Sequence, residues 1–347
     1  MRASVMTYIE PRRAEAKGGG TRPAIACPVS PTRRLRPRAE FGRRFIIFVD
    51  TEEEFDWNKP FSRASTTTGA IAALPAATCR FNDMGVHPVY LCDYPVVTNT
   101  ESAVIIRELA CARLCDIGAH LHPWVTPPHV EEVTAYNSFT GNLPPDLQLD
   151  KLRALTTAQA ELLGSPPTVF RAGRYGLGAQ TMQQLQQLGY RMDVSVRSLF
   201  DYSEEGGPDY TTCPLWPWRT PEGIVQLPLS SGWTGHLRRF PSLYRSSGLR
   251  GPLARSALLT RVPLTPEGTP IAHAVAAIHA MLDDDLDIFS LSFHSPTLAK
   301  GHTPYVQNDA DLTAFWHWWE VVIETLDKLG VRPVRYEELE RELASAP

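Results

Sequence analysis

An α/β fold built on a parallel sheet is what this sequence predicts, and three observations predict it. Short apolar runs alternate with longer amphipathic stretches from about residue 44 to the end. The amphipathic stretches stop at glycines, Gly85, Gly164 and Gly189, the residue that most readily takes the left-handed turn closing a helix. The apolar runs stop where a titratable or cationic side chain begins, at Asp50, His120, Arg171 and His294. Regular β-α alternation joins parallel strands through right-handed crossovers, in a barrel or a doubly wound sheet. In both, functional groups gather at the C-terminal ends of the strands.

FIIFVD (45–50) reads as the first strand, and 69–84 as a helix interrupted by Pro75 and closed by Gly85. HPVYLCD (87–93) is a second strand and 100–115 a second helix. The short strand DIGAHLH (116–122) leads into a Pro-rich loop, followed by a helix at 146–163. TVFRAG (168–173) is strand-like, 178–188 helical, and YRMDVSV (190–196) strand-like again. Residues 200–268 are rich in loop formers, broken by the strand IVQLPLS (224–230). A helix at 270–282, the strand LDIFSLSFH (286–294), an aromatic helix at 309–329, VRPVRY (331–336) and a short helix complete the chain. The aromatic run Trp316, Trp318, Trp319, with Trp216 and Trp218, is expected in the core.

A chain of 347 residues with 43% hydrophobic content can bury one large core or two smaller ones. The net charge of −4 argues against a nucleic-acid binder or a membrane-surface protein. It hides an asymmetry: residues 1–44 hold 11 Lys/Arg against three Glu, and the remainder 23 against 35. The basic tail, 1–43, has almost no apolar periodicity and is expected to be disordered. It lacks the apolar core of a secretion signal, and no stretch is apolar enough to span a bilayer, so a cytoplasmic protein is expected. The six cysteines form no paired framework, and Cys111 and Cys115 read as buried thiols.

The strand ends carry the chemistry. Residues i and i+2 of a strand share a face, so Asp50 and Glu52 project together, as do His120 and His122. Two imidazoles with one or two carboxylates make a ligand set for zinc or a similar divalent ion. A spare carboxylate then suits a general base, a separate His a general acid, and an Arg beside the base keeps it ionised. Glu53 and Glu54 fall to a solvated turn, because they cannot both share the Glu52 face. Asp56 and Trp57 are left between pocket rim and packing.

With those residues in hand, the sequence resembles the polysaccharide deacetylases of the NodB-homology type, nearest their WalW-like branch, over residues 44 to 340. The resemblance implies a distorted (β/α) barrel of about seven parallel strands. It implies removal of acetyl groups from N-acetylated sugars with a divalent metal, zinc by preference. FVDTEEEFDW gives Asp50 as base and Glu52 as ligand, and GAHLHPW gives His120 and His122 as ligands. FRAGRYG gives Arg171 as the tether of the base and a turn whose N–H groups face the oxyanion. LSFHSPTLAKGHTPY gives His294 as the acid. The spacing His-x-His departs from the family's usual His-x-x-x-His, which leaves His129 as a fallback ligand. Asp193 is the one acid near GYRMDVSV that can assist the tether. Trp124, Arg174, Tyr175 and Trp233 are assigned to substrate binding.

One feature lies outside that resemblance. Between His236 and Glu267 stand Arg238, Arg239, Arg245, Arg250, Arg255 and Arg261 and no acid. The segment 236–268 is a solvated insertion, or a lid that contacts phosphate, as in a nucleotide- or lipid-linked sugar. Two rivals to the deacetylase reading use the same fold: a hydrolase of non-sugar linear amides, and a catalytically weak sugar-binding barrel.

Overall fold

A computed structural model describes residues 25–26, 33–240, 243 and 258–346. Seven parallel strands form its sheet. Their order in space is β9 (Ile288–His294), β1 (Arg44–Thr51), β2 (Val89–Cys92), β3 (Asp116–Leu121), β4 (Val169–Ala172), β5 (Met192–Asp193) and β6 (Val225–Gln226). The short pieces Arg332–Pro333 and Trp218–Arg219 add to β1 and β6, the second of them antiparallel. The sheet curls into a half-barrel. Its open side is bridged where Ser230 N–H donates to the Ser290 carbonyl at 3.0 Å and Ser290 N–H to Ser230 Oγ at 2.9 Å. The antiparallel pair β7 (Ser231–Thr234) and β8 (Thr260–Pro263) continues from that bridge. Thus the sequence-predicted barrel of about seven strands is present as a half-barrel whose open side is bridged by irregular chain.

Strand alternation decides what the barrel holds. On β1, Phe45, Ile47 and Val49 join the core against the helices, and Ile46 and Phe48 the second core cluster with Val89, Val169, Met192, Val225 and Ile288. Continuing the same two-residue period along each strand brings Asp50, His120, Arg171 and His294 to the top of that inner layer. The registers agree: His294 pairs with Asp50, and His120 with Arg171. Gly118 lies two residues before His120, and a Cβ there would stand 2.5 Å from Leu91 Cδ2 and from Val169 Cγ1. Only glycine lets those side chains fill the layer below the histidine.

Among the described residues the helices are α1 (Leu74–Asp83), α2 (Tyr94–Thr98), α3 (Thr100–Cys111), α4 (Pro145–Leu163), α5 (Thr181–Gln187), α6 (Ile271–Asp283), α7 (Asp309–Lys328) and α8 (Tyr336–Ser345). Pro75 begins α1 rather than interrupting it, since its fixed φ and missing N–H suit a first turn. The preceding 69–73 form a separate 3₁₀ turn. Gly164 ends α4 at φ 80°, as expected of a left-handed cap. Trp218, Trp316, Trp318 and Trp319 are buried. Among the described residues no helix is long and apolar enough to cross a membrane.

Three expectations change. Residues 33–43, placed in the disordered tail, are ordered: Leu35 and Phe41 join the second core cluster with Leu339 and Leu343 of α8. Arg38 grips Glu342 there, with Nη2 2.7 Å from Oε2. Apart from the two-residue strand Ile25–Ala26, which pairs with Pro208–Asp209, the earlier tail lies outside the described residues. Cys213 is disulfide-bonded, although no paired framework is expected of the six cysteines, and Cys111 is exposed, against the expectation of a buried thiol, while Cys115 is buried. Residues 241–242 and 244–257 of the Arg-rich insertion, with Arg245, Arg250 and Arg255, also lie outside the described residues. The segment from Leu259 onward is strand and buried turn rather than loop.

Candidate active site

Three donor atoms converge at the top of the barrel. His120 Nε2 and His122 Nε2 stand 3.0 Å apart, and each is 3.4 Å from Glu52 Oε2. All three residues are buried. Tetrahedral ligands at about 2.0–2.1 Å from an ion stand about 3.3 Å from one another, which is the spacing found here. The proton positions agree. His120 Nδ1 faces the Arg171 carbonyl at 3.2 Å, and a carbonyl only accepts, so Nδ1 carries the proton and Nε2 presents a lone pair. Burial holds His120 well below the usual imidazole range, in its neutral form. Burial, with Glu53, Asp50 and Asp93 nearby, pushes Glu52 well above the usual carboxylate range, and its Oε1 is buried without a hydrogen-bond partner. Two converging donor nitrogens and an uncompensated carboxylate fit a divalent metal.

Asp50 stands beside this trio. Arg171, fully buried, donates from Nη1 to Asp50 Oδ1 and from Nε to the Val194 carbonyl at 3.0 Å. Burial alone would raise the Asp50 carboxyl, but the Arg171 guanidinium, with His294 beside it, holds it below the usual range. Asp193 acts on this tether at one remove. It accepts from Ser195 N–H at 3.0 Å and Oγ–H at 2.6 Å, and Ser195 Oγ accepts from Ala172 N–H at 2.8 Å, fixing the strand end beside Arg171. Burial raises Asp193 to about 6.

His294 faces Asp50 from the neighbouring strand, Nε2 3.7 Å from Oδ2. Its Nδ1 donates to Glu267 Oε2 at 2.7 Å, and Glu267 also accepts from His294 N–H at 3.0 Å and Thr297 Oγ1–H at 2.6 Å. Burial pulls the imidazole down, but Glu267, Glu52 and Asp50 outweigh it and raise it to about 10.

Two acids here are not among the site residues that the sequence predicts. Glu267 stands in a Thr-Pro-Glu-Gly turn, and nothing local marks it as the partner of a His 27 residues later. Glu53, assigned to a solvated turn, is fully buried, with Oε2 2.8 Å from His122 Nδ1 and Oε1 2.7 Å from Trp124 Nε1. The alternation rule misplaced it because the strand ends at Thr51 and the chain turns. Glu54 serves the fold, accepting from Ala70 N–H where the 69–73 turn begins.

A cavity of about 140 Å³ covers these groups. Trp57 and Tyr305, ring centroids 5.7 Å apart, line one side, and Tyr175 and Tyr202, stacked at 5.7 Å, another. Trp124, Arg174 and Tyr175 line it as well, whereas Trp233, on β7 opposite Arg261, does not. His129 is exposed and stands outside the trio of converging donors. Gly173 opens the turn after Arg171, and a Cβ there would lie 2.3 Å from His122 Cδ2. Arg174 and Tyr175 follow at φ 54° and 59°, a conformation that non-glycine residues adopt at a cost and that concentrates at functional sites. Two arginines of the insertion are engaged elsewhere: Arg238 pairs with Asp283 and Asp284, and Arg261 lies 3.5 Å over the Phe200 ring.

Fold and site together define a class: a curled parallel β/α half-barrel with a candidate metal centre and an Asp50–His294 pair of opposite charge at its C-terminal strand ends. No family model and no curated protein matches the chain. Its fold is shared with a crystal structure titled "putative polysaccharide deacetylase from Mycobacterium smegmatis". The two align with a TM-score of 0.50 and 14% identity over 91% of this chain and 94% of that one. More remote are Puue allantoinase, at 11% identity, 86% and 88% coverage and TM-score 0.45, and the Xyl-CE4 domain of a multidomain xylanase from the hindgut metagenome of Trinervitermes trinervoides, at 10%, 87% and 91% and 0.41.

Proposed function

We propose that this chain is a metal-dependent hydrolase that removes acetyl groups from N-acetylated sugars. One observation carries the reading: donor atoms of Glu52, His120 and His122 converge on a point beside an ionised Asp50 and a protonated His294, in one cavity. Zinc suits a set of two imidazoles and one carboxylate. When bound, the ion supplies Lewis acidity at that point.

The chain's own residues then divide the proton transfers. Asp50, kept anionic and oriented by Arg171, takes the proton of the attacking water. His294, kept cationic by Glu267, delivers a proton to the departing amine. The turn at Gly173–Tyr175 offers backbone N–H groups to the developing oxyanion. The aromatic sides of the cavity, Trp57 with Tyr305 and Tyr175 with Tyr202, suit the apolar faces of a sugar ring. The Asp-x-Glu spacing of Asp50 and Glu52 favours the WalW-like branch. A phosphorylated substrate has less support, since Arg238 and Arg261 already have protein partners.

Acetate release from a panel of N-acetyl and O-acetyl sugars, with metal content measured on the same preparation, tests this. Metal-dependent acetate from an N-acetyl sugar is expected. Bound metal with no acetate from any sugar would move the assignment to non-sugar amides.

A further inference from the structure

His122 stands one residue past the end of β3, and that position raises a question its companion does not. His120 lies within the ladder, and the neighbouring strand supplies the carbonyl that fixes its proton on Nδ1. The ring of His122 is wedged between Gly173, where a Cβ would reach 2.3 Å, and Trp124, stacked at 4.2 Å between centroids with 22° between planes. This packing sets the direction of the ring. It does not decide which nitrogen carries the proton.

We propose that Glu53 makes that decision, as a positioning residue for the second histidine ligand. Its carboxylate takes the Nδ1–H of His122 at 2.8 Å, so Nε2 faces Glu52 and His120 as a lone pair. The inference rests on the metal-site reading above. Glu53 is itself held from behind: its backbone N–H donates to Asp93 Oδ2 at 2.8 Å, and Asp93 Oδ1 caps α2 by accepting from Val96 N–H at 2.9 Å. A carboxylate behind a ligating imidazole fixes its tautomer and strengthens its donation. The His-x-His spacing therefore works in this chain together with an acid three residues after Asp50.

The choice of glutamate over glutamine follows from a second donor. Trp124 Nε1–H, which can only donate, occupies Glu53 Oε1 at 2.7 Å. Two N–H groups thus need two acceptor atoms, and a carboxylate has both. An amide has one acceptor, and its NH₂ would face an N–H. Glu53→Gln must therefore push the His122 proton to Nε2, toward the ligand point, or oppose the Trp124 N–H. Replacing Trp124 by Phe removes the second donor, and the single oxygen of the introduced amide can then serve His122.

The test uses the full chain with zinc as the probe, measured by chelator competition, together with imidazole ¹⁵N NMR on the metal-free protein. Wild type should show His122 protonated on Nδ1. Glu53→Gln should shift that proton to Nε2 and weaken zinc binding by about 10- to 100-fold. Glu53→Gln with Trp124→Phe should recover part of the loss, whereas a purely structural role for Glu53 would make the double variant worse than either single one. If wild type binds zinc and Glu53→Gln binds it as tightly with an unchanged tautomer, this inference falls and the metal reading stands. If wild type binds no metal, both fall.

Discussion

His294 and Asp50 occupy the same register position on adjacent parallel strands, and their side chains meet across the ladder with Nε2 3.7 Å from Oδ2. One is held cationic by Glu267 and the other anionic by Arg171. Neighbouring groups pushed to opposite charge states are the arrangement that the proposed division into base and acid requires.

Asp50→Asn should lower acetate release by about 100- to 10,000-fold, the contribution of a positioned general base. Metal content should be unchanged, because the ligand trio does not include this side chain. Steady-state rates and metal analysis on one preparation check both parts.

Glu267→Gln should move a pH limb. His294 is raised to about 10, so the wild-type acid stays protonated well into alkaline solution. A cation held at Glu52 subtracts from that, placing the limb of the loaded enzyme below 10. Without the Glu267 carboxylate the imidazole drops, and the alkaline limb of kcat/KM should shift to lower pH. Stability has the matching sign. A raised group stabilises the fold fully below its ordinary value of 6.5 and loses that contribution as pH rises through about 10. Urea titrations across this window should show wild type losing more stability than the variant.

Gly173→Ala should injure the site through packing alone. The new methyl would meet His122 Cδ2 and the Leu121 carbonyl oxygen, 2.3 and 2.7 Å from the ideal Cβ position. Overpacking of this kind costs about 1–3 kcal/mol. A lower denaturation midpoint, together with weaker metal retention, is expected.

Lys151→Met should destabilise the loop that carries Trp124. Lys151 Nζ is buried and donates to the carbonyls of Pro123, Thr126 and Pro128 at 2.9, 2.5 and 2.8 Å, with Glu131 at 3.0 Å. Methionine fills the volume but leaves three carbonyls and a carboxylate without their cation. A loss of about 3 kcal/mol or more in urea unfolding is expected.

Much of this site is legible in the sequence because strands impose a short, rigid period. Four apolar runs that end in Asp50, His120, Arg171 and His294 carry enough information to bring those residues to one rim. What escapes has a physical cause in each case. Glu53 lies beyond the end of β1, where alternation no longer says which way a side chain points. Glu267 reaches His294 across a turn that has no period at all. The runs at 190–196 and 224–230 look like full strands, yet only 192–193 and 225–226 pair as such, since the barrel opens there. The order of residues 33–43 depends on α8, some 300 residues away, through contacts such as Arg38 with Glu342.

On the proposed function, Glu52, His120 and His122 hold a metal on which hydrolysis depends. Stripping the purified protein with a chelator and titrating zinc back, while following acetate release from an N-acetyl sugar, tests this most directly. Activity should be lost on stripping and return at one equivalent of metal, and a Glu52→Ala, His120→Ala variant should neither bind the metal nor recover. Acetate release that persists in the stripped protein, or that survives in that variant, would contradict it.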